Sequence, residues 1–179
     1  LAAALAVRRA IRQLSGKELL LKWPNDLYAD GRKCCGILSE LIRLSAGDWA
    51  IVTGIGINLT PQAYGPALAG TAVSLEEAGI AAGRCALIAA IRRSFCEMIG
   101  TIVSQGGTLG SLQQEYTENL LWLGREVSLR DAAGQGPEGV LRGISPRGEL
   151  LLETAEGLQS FLAGELSLRP RTEEKVFDP

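Results

Sequence analysis

Three short stretches concentrate the residues whose types and spacing suit small-molecule chemistry: KWPND at 22–26, GRKCCGIL at 31–38 and TGIGIN at 53–58. Gly54 and Gly56 lie two apart, so on a strand they share a face and leave bare backbone that a flat ligand can approach. A bulge or a tight strand crossing would use the same pair. Lys33 follows a turn and leads a run with Gly36 three positions on. A lysine at a strand entrance is ordinarily solvated. It could equally deliver its ammonium to a phosphate or carboxylate over the glycine face, where each charge-assisted hydrogen bond contributes roughly 1.5–3 kcal/mol. With the amides of Asn25 and Asn58 nearby, these residues have the makings of a small-molecule site, and by themselves they do not name the ligand.

Other chemistries are excluded more sharply. With no histidine in the 179 residues, Ser-His and Cys-His nucleophile arrangements are absent. The four cysteines, Cys34, Cys35, Cys85 and Cys96, show no CxxC spacing, so no metal site is expected and reduced, cytoplasmic thiols are the plain reading. Cys34 and Cys35, adjacent on a strand, would point to opposite faces. No Walker lysine motif is present, and TGIGIN does not open a helix, so a nucleotide would have to bind on a sheet. A net charge of −2 without a basic stripe argues against a nucleic-acid partner. Nor is a membrane partner expected: LAAALAVRRAIRQL carries its arginines inside the apolar pattern, unlike a signal peptide, and reads as an amphipathic helix with Arg8, Arg9 and Arg12 outward. Because the sequence begins with Leu, residues are expected before it in the natural protein.

The elements that must position these residues follow from pattern. KELLLKW reads as a strand that Pro24, Asn25 and Asp26 turn out of, and Asp30-Gly31 marks a hairpin between two β-rich runs. DWAIVTGIGINL follows as a third run, so the sheet is expected to be antiparallel. Residues 60–83 read as a loop with one helical turn near 74–77. Leu87, Ile88, Ile91, Phe95, Met98, Ile99 and Ile102 then recur at helical spacing as a core stripe rather than a cofactor box. A further helix is expected over 108–121, capped by Thr108 or Ser111. Beyond Gly124 short alternating runs separated by Gly and Pro turns suggest a small SH3-like barrel, which places a domain boundary near Leu123. The segments are then 1–123, 124–170 and a frayed tail at 171–179.

KWPND, KxxGIL and GxGIN in this order, with GREVSLRD and GELSLR near the end, resemble the biotin protein ligase family over roughly residues 1–169. The resemblance implies an α+β fold, a class II synthetase-like mixed sheet flanked by helices, present here in part and followed by an SH3-like β-barrel. It implies ATP and Mg2+ as the nucleotide and its metal, biotin as substrate, and a biotin carboxyl carrier domain as protein partner. A homodimer is compatible with it, since a sheet edge in this family pairs with a second copy or with the carrier. Carried over by position, Lys33 and Asp26 are catalytic, while Lys33, Gly36, Leu38, Gly54 and Gly56 contact biotin. Asn25, Asn58, Glu165 and Arg169 face the nucleotide, with Asn25 and Asp26 projecting together from the turn that Pro24 sets and Trp23 anchors. Two departures stand out: Cys35 precedes the glycine where the family has Gly or Ala, and the family's GRGRxGR loop, which lies upstream of KWPND, is not in these residues. The sequence is therefore expected to correspond to the C-terminal two-thirds of such a ligase, without a DNA-binding winged helix. A related lipoate or octanoate ligase, or a non-catalytic homologue that binds biotin or a partner chain, are the alternatives.

Overall fold

The computed structural model describes residues 1–45, 47–65, 68–131, 133–163 and 167–171. An alanine-rich first segment forms helix α1 (Ala2–Ser15), which ends where Gly16 takes the left-handed conformation (φ 72°) and its N–H donates to the Arg12 carbonyl. Leu5, Val7 and Ile11 are fully buried on it. Arg8 is not outward as its sequence position suggested. It is 4% exposed, donates from Nε to the Leu19 carbonyl at 3.1 Å and pairs with Glu18 and Glu115. Partners distant in sequence satisfy the guanidinium inside, which helical periodicity cannot register.

Strands β1 (Leu20–Lys22), β2 (Asp26–Ala29), β3 (Arg32–Arg43) and β4 (Trp49–Ile57) form an antiparallel sheet in sequence order. Asp30 and Gly31 join β2 to β3 with φ of 46° and 70°, the left-handed pair that a two-residue hairpin needs. Among the described residues parallel pairing is confined to two isolated bridges, Leu21 with Leu120 and Lys33 with Ala72. The expected turn at 74–77 is closed by reciprocal bonds: Ser74 N–H and Oγ–H donate to Glu77 Oε2 at 2.9 and 2.6 Å, and Glu77 N–H donates to Ser74 Oγ.

Helix α2 (Arg84–Ser104) packs along α1 through Leu87, Ala90, Ile91 and Met98. Ile88 and Ile99, expected in the same stripe, are exposed by 60% and 39%, since α1 covers only part of the apolar arc. Helix α3 is shorter than expected, Leu112–Glu118, and its N-cap Ser111 makes no side-chain capping bond. The remaining strands, β5 (Glu126–Arg130), β6 (Glu138–Ile144), β7 (Leu150–Thr154), β8 (Gly157–Phe161) and β9 (Ser167–Pro170), make the second antiparallel sheet in the order β8-β7-β6-β5-β9. Val127, Leu129, Leu141, Leu150, Leu152 and Leu168 fill its interior.

This small sheet is joined to the first unit. Buried Trp23 donates from Nε1 to the Gly148 carbonyl at 3.1 Å, and Tyr116 donates from its hydroxyl to the Pro24 carbonyl at 3.3 Å. Leu109 N–H donates to the Pro146 carbonyl at 2.9 Å. Trp23 and Tyr116 thus tie the turn between β1 and β2, which contains a cis Trp23–Pro24 bond, to its surroundings. Among the described residues no helix is long and apolar enough to cross a membrane.

Candidate functional site

Strand register sets out the site. Lys22 lies opposite Asp26, Asp26 opposite Gly36, and Gly36 opposite Gly56, so one transverse row crosses all of β1 to β4 on a single face. Two residues further along, Leu38 lies opposite Gly54 on that same face. The row runs from a cation through a carboxylate to bare backbone.

Lys33 reaches this face through an irregularity. On a regular strand, residues three apart point to opposite sides, so Lys33 and Gly36 should not meet. Here Leu27 pairs with Cys35 but Tyr28 pairs with Lys33, leaving Cys34 as the extra residue of a bulge. The phase shift brings Lys33 over Gly36: a Cβ built on Gly36 would lie 3.2 Å from Lys33 Cε and Nζ and 3.5 Å from Asp26 Oδ1. Glycine at 36 is what lets the lysine lie down. The alternation expected across Cys34 and Cys35 is interrupted by the bulge, and both are buried with their thiols pushed up to about 12 by burial. They are unsuited to nucleophilic work. All four cysteines are free thiols.

Lys33 Nζ pairs with Asp26 Oδ1 at 2.5 Å. Its backbone is pinned on both sides by the loop after β4, since Lys33 N–H donates to the Thr71 carbonyl and Val73 N–H donates to the Lys33 carbonyl. Asn58 holds the other end of that loop, donating from Nδ2 to the Val73 carbonyl at 3.2 Å. Folded back in this way, the loop roofs a cavity of about 520 Å3 whose walls include Lys22, Asp26, Lys33, Gly36, Gly56, Asn58 and Arg169. Arg169, on β9, brings the second sheet to the rim.

The structure therefore gathers Asp26, Lys33, Gly36, Gly56, Asn58 and Arg169, with Gly54 and Leu38 along the same open face. It does not bring Asn25 to that cavity. The Asn25 amide donates to the Ile37 carbonyl at 2.6 Å while Ile37 N–H donates to the Asn25 carbonyl, so this side chain clamps the turn to β3 instead of projecting with Asp26. Glu165 lies outside the described residues. Lys22, Tyr28 and Tyr64 also line the cavity and were not singled out in the sequence. Lys22 stood in plain view as the first letter of KWPND. Tyr64 carried no signal, since it sits in a loop, yet its hydroxyl is buried without a partner among the described residues.

The Lys22 ammonium is distinctive. The residue is 7% exposed, and its Nζ sits 5.7 Å from the Tyr28 ring centroid and 5.8 Å from that of Trp122. Burial, reinforced by the nearby Arg169 charge and opposed by Asp26, pushes it down to about 8. Burial and the Asp26 charge push the Tyr28 hydroxyl up. Among the described residues no three His, Cys, Asp or Glu side chains converge to hold a metal ion. A separate apolar cavity of about 610 Å3 lies on the opposite side of β4, where Ile55 and Ile57 face Leu87, Ile91 and Phe95 of α2.

A sheet face with a lysine over bare glycine backbone can seat a flat ligand and pair with its anionic group. Residues 1–58 match the Biotin/lipoate A/B protein ligase family and residues 122–169 match the Biotin protein ligase C terminal domain. The chain is 31% identical over 166 residues to the bifunctional ligase/repressor BirA of Escherichia coli, covering 92% of this chain and 51% of that protein. It is 32% identical over 171 residues to a biotin–[acetyl-CoA-carboxylase] ligase of Mycobacterium tuberculosis, covering 93% of this chain and 60% of that one. The biotin protein ligase of Aquifex aeolicus, solved in complex with biotin and ATP, superposes with a TM-score of 0.80 at 28% identity, covering 94% of this chain and 69% of that one. The chain belongs to the biotin protein ligase family. It spans between 51% and 60% of the length of these curated relatives.

Proposed function

We propose that the full protein is a cytoplasmic biotin protein ligase that attaches biotin to a lysine of a biotin carboxyl carrier domain at the expense of MgATP. The observation that carries this reading is the Lys33 ammonium laid across Gly36 against Asp26, where bare glycine backbone meets a cationic wall. Residues 1–123 would supply the catalytic unit and 124–170 the closing barrel.

In the first step a carboxylate oxygen of biotin attacks the α-phosphorus of ATP. The new O–P bond forms as the bond to the bridging oxygen breaks, and pyrophosphate leaves with the electron pair. Charge gathers on the phosphoryl oxygens, and Lys33 stands where it would stabilise them. Gly36, Gly54, Gly56 and Leu38 give biotin its flat seat, while Asn58, Arg169 and Glu165 serve the nucleotide. The Mg2+ arrives with ATP as part of the substrate.

In the second step the ε-amine of the acceptor lysine attacks the carbonyl carbon of biotinyl-5′-AMP, forms the amide bond, expels AMP and gives up a proton. Neutralising such an amine at pH 7 costs about 4–5 kcal/mol from an ordinary value near 10.4. An ordinary carboxylate is a weak base for that task, and Asp26 is paired with Lys33. The role assigned to Asp26 is thus to hold Lys33 in place and to steady the incoming ammonium.

The test is pyrophosphate release from ATP by the full protein, with and without biotin, and in Lys33→Ala. Release that requires biotin and is lost in the variant supports the reading. A folded protein whose ATP turnover ignores biotin refutes it.

A further inference from the structure

We propose that Lys22 is the receiving group for the pyrophosphate that leaves in the activation step, a role that rests on the biotin-activating reading above. Three independent features of the fold converge on it.

The first is direction. Lys33 lies over Gly36 and against Asp26, and on the biotin-activating reading it marks where biotin's carboxylate would meet the α-phosphorus. In-line displacement sends the leaving group to the side opposite the attacking oxygen. With biotin on Gly36 and Gly56, that side is the β1 end of the row, where Lys22 stands directly across from Asp26. Two strand spacings, about 10 Å, separate Lys22 from the Gly36 position, with Asp26 on the strand between them.

The second is the state of the ammonium itself. Among the described residues the Lys22 ammonium forms no hydrogen bond and no ion pair, and only 7% of the residue is exposed. Ring faces of Tyr28 and Trp122 on either side steady a cation but supply no anionic oxygen. The ammonium opens onto the cavity, so an anionic ligand entering there would supply the acceptor that the rings do not.

The third is the charge of the cavity. Lys22, Lys33 and Arg169 line it against the single carboxylate of Asp26 among the described residues, an excess of two positive charges. The Asp26 charge is already engaged by Lys33, which leaves Lys22 and Arg169 for the ligand. Arg169 comes from β9, so the two cations reach the same anion from the two sheets.

The experiment is calorimetric titration of the full-length protein with inorganic pyrophosphate in the presence of Mg2+, and separately with biotin, for the parent, Lys22→Met and Lys22→Arg. Loss of one charge-assisted hydrogen bond should weaken pyrophosphate binding about ten- to a hundredfold in Lys22→Met, while biotin affinity stays within about twofold. Lys22→Arg should recover most of the loss. Unchanged pyrophosphate affinity in Lys22→Met overturns the proposal, and so does joint loss of pyrophosphate and biotin, which would make Lys22 a structural residue. A parent protein that binds neither compound refutes the ligase reading itself, and the role of Lys22 falls with it.

Discussion

Gly56→Ala separates a ligand face from a merely permissive strand. A Cβ at position 56 would meet only the Gly36 carbonyl oxygen, at 3.7 Å, an ordinary van der Waals distance. Gly56 lies inside β4 and its φ is not in the left-handed region, so the backbone accepts alanine. Removing glycine's extra freedom from the unfolded chain should then stabilise the protein by about 0.4–1 kcal/mol, or roughly 1–4 °C in Tm for a chain of this size. The added methyl nevertheless stands on the face where biotin is proposed to lie flat. Overfilling a fitted site costs roughly 1–3 kcal/mol, which is about a five- to 150-fold loss of biotin affinity. The contrast is Gly36→Ala, whose methyl would press on Lys33 Cε and Nζ at 3.2 Å, displacing the lysine and lowering the rate of adenylate formation as well as binding. Thermal melts paired with calorimetric titration of biotin read both quantities. A Gly56→Ala protein that is as stable as the parent and binds biotin equally well would refute the assignment of this face.

Asp26→Asn should slow biotin transfer from preformed adenylate by about tenfold or more, because Lys33 loses its anchor, and wild-type transfer in a single-turnover assay would remove Asp26 from the mechanism. Glu115→Ala takes one carboxylate from buried Arg8 and from Arg9, so urea unfolding should show a loss of about 2 kcal/mol. For Lys22 the folded value of about 8 lies below the ordinary 10.5, so between these two pH values the unfolded chain binds more protons than the folded one. Stability of the unliganded protein should therefore gain from Lys22 as pH rises from about 8 to 10.5, by about 3 kcal/mol at most, and Lys22→Met should lack that gain when the two denaturation profiles are compared.

Much of this arrangement was legible before any coordinates. Asp30-Gly31 fixed the β2–β3 hairpin because few residue pairs adopt two successive left-handed conformations. The two glycines of TGIGIN declared their shared face through the period of a strand. What stayed hidden depends on deviations from regularity or on partners far along the chain. The Cys34 bulge, which turns Lys33 onto the face of Gly36, has no signature in KCCG. Arg8 reads as solvent-facing until Glu18 and Glu115 are seen around it. Asn25 and Asp26 are neighbours in sequence, and only the bond from Asn25 to Ile37 shows that they serve different surfaces. Ile88 and Ile99 kept the helical period yet remained exposed, because period indicates a stripe and not how much of it a neighbour covers.

The bond from Trp23 to the Gly148 carbonyl makes the small barrel a buttress of the WPND turn and not an accessory cassette. Removing the barrel, or exchanging it for one that lacks this carbonyl, would leave the Trp23 indole N–H buried without its acceptor beside the turn that leads to Asp26. Heating should accordingly melt both units in one cooperative transition, and a graft would succeed only where the donor barrel presents a carbonyl at the same point.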